Sequence, residues 1–198
     1  PSNIAAMNNY ANSLKAIGKF EQSKNLYEKI LNKDPNYIRA YNNFANLKTS
    51  YNDYKGAIDL YLKAITLLKK NKNIPKKHSL EFMFSLAVAY QGCNKVKELK
   101  ATIDEILSLD PSHTGAHKLK SSMLKYSNDN LESIDHLKKM EILNEDKKLD
   151  NNKKIDLFFS LGKAYEDVRN FDKSYFYLNE ANKLRYEKHG SKLENEKK

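Results

Sequence analysis

A 34-residue period constrains this chain more than any other feature. Lys33-Asp34-Pro35-Asn36-Tyr37 recurs as Leu109-Asp110-Pro111-Ser112-His113, and Pro1-Ser2 stands 34 residues before Pro35-Asn36. A period of that length is one supersecondary unit that buries its apolar face only against its neighbours. Within the first unit Met7, Tyr10, Ala11 and Leu14 mark one helix, and Phe20, Ser23, Tyr27 and Ile30 mark a second. The next unit carries Tyr41, Phe44 and Ala45, then Tyr54, Ala57, Tyr61 and Ala64. A third has Met83, Leu86, Ala87 and Tyr90, then Val96, Leu99, Ile103 and Ile106. The last has Phe158, Leu161, Gly162 and Tyr165, then Phe171, Ser174, Leu178 and Ala181. The second-helix spacing of 0, +3, +7 and +10 is one face of an α-helix.

These residues resemble the tetratricopeptide repeat (TPR), a helical hairpin with a small residue where its helices cross and a proline at its exit. Ala11, Ala45, Ala87 and Gly162 remove bulk where two backbones approach, and larger neighbours fill the space beside them. Pro35 and Pro111 disfavour helix at the preceding Asp, and Asn36 and Ser112 are placed to cap the helix that follows. The resemblance implies an all-α, right-handed superhelical TPR solenoid of about five hairpins with a C-terminal helical tail. The expected array spans residues 1–198, with repeats at 4–37, 38–79, 80–113, 114–154 and 155–188 and a tail over 189–198.

Two departures interrupt the period. Phe44 to Leu86 is 42 residues, and the surplus falls at Lys69–Ser79 around Ile74-Pro75, where a longer helix and a basic loop are expected. The unit at 114–154 is degenerate, with Lys120-Ser121 in place of the apolar–small pair. Its second helix is expected to bury Leu131, Ile134, Leu137 and Met140, followed by a polar linker near Asn144–Asn152.

Composition narrows function by exclusion. Six Gly and four Pro are too few for a turn-rich β protein or a disordered chain. No apolar run approaches a membrane span, and the single Cys93 excludes an internal disulfide framework, so a cytoplasmic setting is expected. No Gly-rich phosphate loop, zinc spacing or nucleophile elbow occurs, and no cofactor or catalytic residue is assigned. His113 and His117 are four residues apart but lack a third ligand, and His117 fills the slot of Met7, Tyr41 and Met83. Asp156, Glu166 and Asp167 read as helix-surface charge, and Cys93, beside Lys95 and Lys97, as an ordinary thiol.

The candidate site lies on the first helices. Asn8, Asn9 and Asn12 recur 34 residues on as Asn42, Asn43 and Asn46, off the core slots. A carboxamide donates and accepts, so a row of them suits the backbone of an extended peptide. The row resembles the asparagine ladder of the TPR superhelix in O-linked N-acetylglucosamine transferases, which implies a concave polar strip; Phe84 is a further candidate residue of this peptide site. Both Asn43 and Asn46 are expected to point away from the helix-packing face. Asn12 and Asn43 also match the carboxylate clamp of chaperone-adaptor TPRs, but Asn8, Glu81 and Ser85 stand where that clamp needs cations.

A formal charge of +10, with Lys69, Lys70, Lys72, Lys76 and Lys77 close together, makes nucleic acid or another polyanion the alternative partner to a protein or peptide. Stacking on bases needs exposed aromatics among the basic groups, and only Phe84 and Phe159 lie off the core slots. Finally, Ile134–His136, Met140-Glu141, Phe159–Asp167, Phe171–Ser174 and Asn182 with Leu184-Arg185 resemble the TPR region ahead of the catalytic domain in bacterial TPR-containing sulfotransferases. That resemblance implies a recruiting module whose catalytic part, with its donor-binding loop, lies beyond Lys198.

Overall fold

The computed structural model describes residues 3–70 and 76–195. Among the described residues every regular element is a helix: α1 (Ile4–Ala16), α2 (Phe20–Lys33), α3 (Ile38–Ser50), α4 (Tyr54–Lys70), α5 (Lys76–Gly92), α6 (Val96–Leu109), α7 (Thr114–Met123), α8 (Leu131–Asn144), α9 (Asn151–Asp167) and α10 (Phe171–Asn195). The chain forms two compact units, Pro1–Glu105 and Ile106–Lys198.

The turns between paired helices repeat as faithfully as the helices. Gly18, Asn52, Asn94 and Arg169 all have positive φ, between 54° and 76°. After each, an N–H reaches back to a carbonyl inside the first helix: Lys19 to Leu14, Asp53 to Lys48, Lys95 to Tyr90 and Asn170 to Tyr165, at 2.8–2.9 Å. This closure satisfies the last carbonyls of the first helix and aims the chain straight into the second. Glycine tolerates the conformation without strain, asparagine nearly so, while Arg169 adopts it against its own preference.

At the crossings the small residues are fully buried. Ala11, Ala45 and Ala87 show no exposed surface. A Cβ on Gly162 would lie 2.6 Å from Leu178 Cδ2, so α9 and α10 meet where only hydrogen fits. In the first unit Tyr27 of α2 stacks on Phe44 of α3 at 5.7 Å, within a core that includes Ala11, Ile30, Ala40 and Leu47. In the second, Tyr126, Met140, Leu149, Leu157, Leu161 and Tyr165 form the core.

Several expectations need correction. Asn36 and Ser112 do not cap the next helix; their N–H groups instead bind the carboxylates of Asp34 and Asp110 at 3.0 Å. The caps are Tyr37, which makes no side-chain capping bond, and His113, whose Nδ1 accepts from the Ala116 N–H. The buried side of α8 is Ser133, His136 and Met140, while Leu131 is 82% exposed. Met140 is buried as expected and Leu137 packs against the core, while the polar Ser133 and His136 take buried positions that an apolar pattern leaves out. The linker after α8 is short and not wholly polar, because Leu149 drops into the core. α10 is one 25-residue helix, so the expected tail continues the last hairpin up to Asn195. α4 runs on to Lys70, whereas residues 71–75 of the expected basic loop, and Pro1-Ser2, lie outside the described residues.

Candidate functional site

The six asparagines occupy equal register on α1 and α3, but the structure divides them by partner. The Tyr27 hydroxyl donates to Asn12 Oδ1 at 2.6 Å, and Tyr61 donates to Asn46 Oδ1 at 2.5 Å. Both tyrosines are buried, and burial pushes the Tyr27 hydroxyl up to about 12, so the phenols stay protonated donors. Asn46 is therefore tied to the helix-packing side, against the expectation that it points away. Its neighbour Thr49 lies 3.5 Å from the same Tyr61 oxygen.

Asn43 donates through Nδ2 to Asn8 Oδ1 at 3.1 Å, and Asn8 is 3% exposed. That pair stitches α1 to α3 and takes Asn8 out of any open strip. Asn42 is half-buried, and its Oδ1 is a buried acceptor without a hydrogen-bond partner. Asn9 is exposed, as is Asn12. An asparagine whose Oδ1 is already engaged offers its amide hydrogens, so Asn12 and Asn46 present donors at matching register.

Phe84 is half-buried in α5 and does not stand clear as a stacking platform. Phe159 is also half-buried, with the Arg185 guanidinium 5.8 Å from its ring centre. Lys69 reaches Glu105 at 3.5 Å; Lys72 lies outside the described residues, as do the side chains of Lys76 and Lys77. Asp156 and Asp167 each bind lysine: Asp156 to Lys118 at 2.8 Å, Asp167 to Lys125 and Lys163 at 2.6 and 2.7 Å. Burial opposes ionisation of Asp167, yet the two lysines and the Tyr126 N–H outweigh it and hold the carboxyl at about 2.

The second unit contains a site that the sequence pattern missed. His117 and His136 are both 2% exposed, with His117 Nδ1 2.9 Å from His136 Nε2. His117 Nε2 lies 2.8 Å from the Pro111 carbonyl, and the Tyr126 hydroxyl lies 2.6 Å from His136 Nδ1. A carbonyl only accepts, which assigns the hydrogen to His117 Nε2 and leaves its Nδ1 as acceptor. His136 then donates from Nε2, and Tyr126 donates to His136 Nδ1. Every partner in this line of four is satisfied when both rings are neutral. A precedent sits in the preceding periods: Tyr41, in the slot of His117, donates its hydroxyl to Pro35 O at 3.0 Å. His113 faces elsewhere, as the cap of α7.

Comparison with known proteins agrees with this architecture. Residues 4–37 match the family model described as tetratricopeptide repeat. No curated protein matches the sequence. Among solved structures the chain is similar to YrrB, described as a TPR protein with an unusual peptide-binding site, at 19% identity over 99% of this chain and 93% of that one, with a TM-score of 0.63. It is also similar to a Podosopora anserina putative kinesin light chain with nearly identical TPR-like repeats, at 13% identity over 95% and 99% of the two chains and a TM-score of 0.68. MamA matches at 17% identity over 94% of each chain, with a TM-score of 0.64. At these identities the likeness is one of fold: an all-α TPR solenoid.

Proposed function

We propose that this chain is a non-catalytic scaffold that binds an extended peptide or protein segment along the α1–α3 face. The observation that carries the reading is the repetition, 34 residues apart, of a tyrosine hydroxyl that occupies an asparagine oxygen and so leaves the carboxamide NH2 as the group to offer a ligand. Two donors at one register match the carbonyls of an extended backbone. The solved YrrB structure, a TPR protein with a peptide-binding site, supports the same kind of ligand for this fold. No helix among the described residues is long and apolar enough to cross a membrane.

The finer reading is a cytoplasmic recruiting module of a larger protein such as a sulfotransferase. Its support is the residue succession of the C-terminal third, from Ile134 to Arg185. The chain's own chemistry is then recognition, with any donor-binding loop elsewhere in the parent.

A random dodecapeptide display library panned against the whole chain tests the proposal. Selected peptides are expected to lose several-fold affinity on Asn9→Ala, an exposed position, with an unchanged melting curve. Peptides indifferent to Asn9 and Asn12 would remove the α1–α3 face as the site. Binding to single-stranded nucleic acid that weakens steeply with salt would move the reading to the polyanion alternative.

A further inference from the structure

We infer that the Tyr126–His136–His117 line is an acid-sensitive latch that holds α8 against α7. The line crosses the hairpin: His117 belongs to α7, His136 to α8, and Tyr126 to the segment that joins them. Met140, with Leu137 and Leu143 beside it, packs α8 into the core of the second unit, and the histidine line adds a buried polar tie from α8 to α7. The Ser133 hydroxyl binds the joining segment at Ser127 O, not a helix across the core.

The bond between the rings requires one ring nitrogen to accept. A first proton on the pair places a charge in a dry interior. A second makes both rings present N–H hydrogens at the shared 2.9 Å contact, and the bond is lost. The charges around the pair oppose protonation. On α7 they are Lys120 and, at its cap, His113; on α8 they are Lys139 and Asp135, of which only Asp135 favours a cation. From α9 the Lys163 ammonium stands 5.1 Å from the Tyr126 ring centre, and Asp167 takes the Tyr126 N–H. Lys120 itself reaches Glu132 at 3.5 Å. Burial and these cations push both imidazoles down, His136 to about 3. Opened to water, each ring returns to about 6.5 and takes up a proton. Acid therefore drains the closed state toward a released α8, and the α7–α8 hairpin is the two-state element so biased.

Hydrogen exchange of the whole chain between pH 7 and pH 5 tests the latch. Once intrinsic exchange rates are divided out, the opening constant of α8 is expected to rise toward one hundredfold per pH unit below pH 6, as uptake of two protons requires. The α1–α4 helices, which contain no histidine, are expected to stay constant over the same range. His136→Gln keeps a donor and an acceptor without titrating, and is expected to reduce the dependence to about tenfold per unit. Nitrogen-15 imidazole spectra of the unaltered chain give a reading that does not rely on the variant folding. Both rings neutral with hydrogen on Nε2 at pH 7 supports the latch. An imidazolium, hydrogen on His117 Nδ1, or opening of α8 indifferent to pH overturns it.

Discussion

Tyr61 donates its hydroxyl to Asn46 Oδ1 at 2.5 Å, and 34 residues earlier Tyr27 does the same to Asn12 at 2.6 Å. In each case a residue of the second helix, buried to within 1% of its surface, sets the orientation of a carboxamide on the first. A carboxamide of the proposed peptide-binding face is thereby wired into the core, and the asparagines contribute to folding.

That wiring predicts unequal costs for its two ends. Asn46→Ala leaves the buried Tyr61 hydroxyl the longer 3.5 Å contact to Thr49 in place of its short bond and is expected to cost about 1–3 kcal/mol, whereas Tyr61→Phe leaves a part-exposed acceptor that water can reach and costs about 0.5–1.5 kcal/mol. Combined, the two changes should cost less than the sum of the singles, because the poorly paired hydroxyl is gone. Urea denaturation of the four proteins measures this; strict additivity would show that the bond contributes nothing.

Gly162→Ala is expected to destabilise the chain, although alanine is the better helix former by about 1 kcal/mol. The new methyl would sit 2.6 Å from Leu178 Cδ2 at the α9–α10 crossing. Overpacking of this kind costs about 1–3 kcal/mol. Trimming Leu178 to alanine in the same chain should make Gly162→Ala neutral or stabilising, which thermal melts of the single and double variants would reveal.

Leu161 has no exposed surface and packs in the core of the second unit. Leu161→Ala should cost about 2–5 kcal/mol. Neighbour-coupled hairpins lose protection locally first, so amide exchange should accelerate in α9 and α10 and remain unchanged in α1–α4. Uniform acceleration along the chain would contradict this.

Acid should act on the second unit through two groups whose windows overlap between about pH 3 and pH 4. His136, held near 3 when folded, is outcompeted for protons by the unfolded chain, whose histidines titrate at about 6.5; stability therefore falls as pH drops below about 6.5, down to about 3. Asp167 acts in the same direction at lower pH. Its carboxyl is held near 2 against about 3.9 unfolded, so its contribution is present above about pH 4 and lost between there and about pH 2. Asp167→Asn should then destabilise the protein at pH 7 and match the unaltered chain near pH 2 in urea titrations. A gap between them that persists at pH 2 would show that the asparagine fails for steric reasons rather than for its missing charge.

What the sequence determined by itself was whatever is local and repeated. The 34-residue period, the alanines at 11, 45 and 87 with Gly162, and the apolar faces of α2, α4 and α6 follow from helix geometry and from the exclusion of bulk at crossings. Each copy states the same rule, so neighbouring copies correct one another. The degenerate unit has no such support. There the apolar pattern finds Met140 and Leu137 of α8 but leaves Ser133 and His136, which are buried, to solvent.

Only the tertiary structure decided which polar groups meet. Asn8 and Asn43 are 35 residues apart, Asn46 and Tyr61 15, His117 and His136 19, and no spacing rule distinguishes a partnered carboxamide from a solvated one. Hydrophobic burial is non-directional, so residue type and period suffice to anticipate it. A hydrogen bond depends on distance and angle to a single atom, and those exist only once the helices have packed.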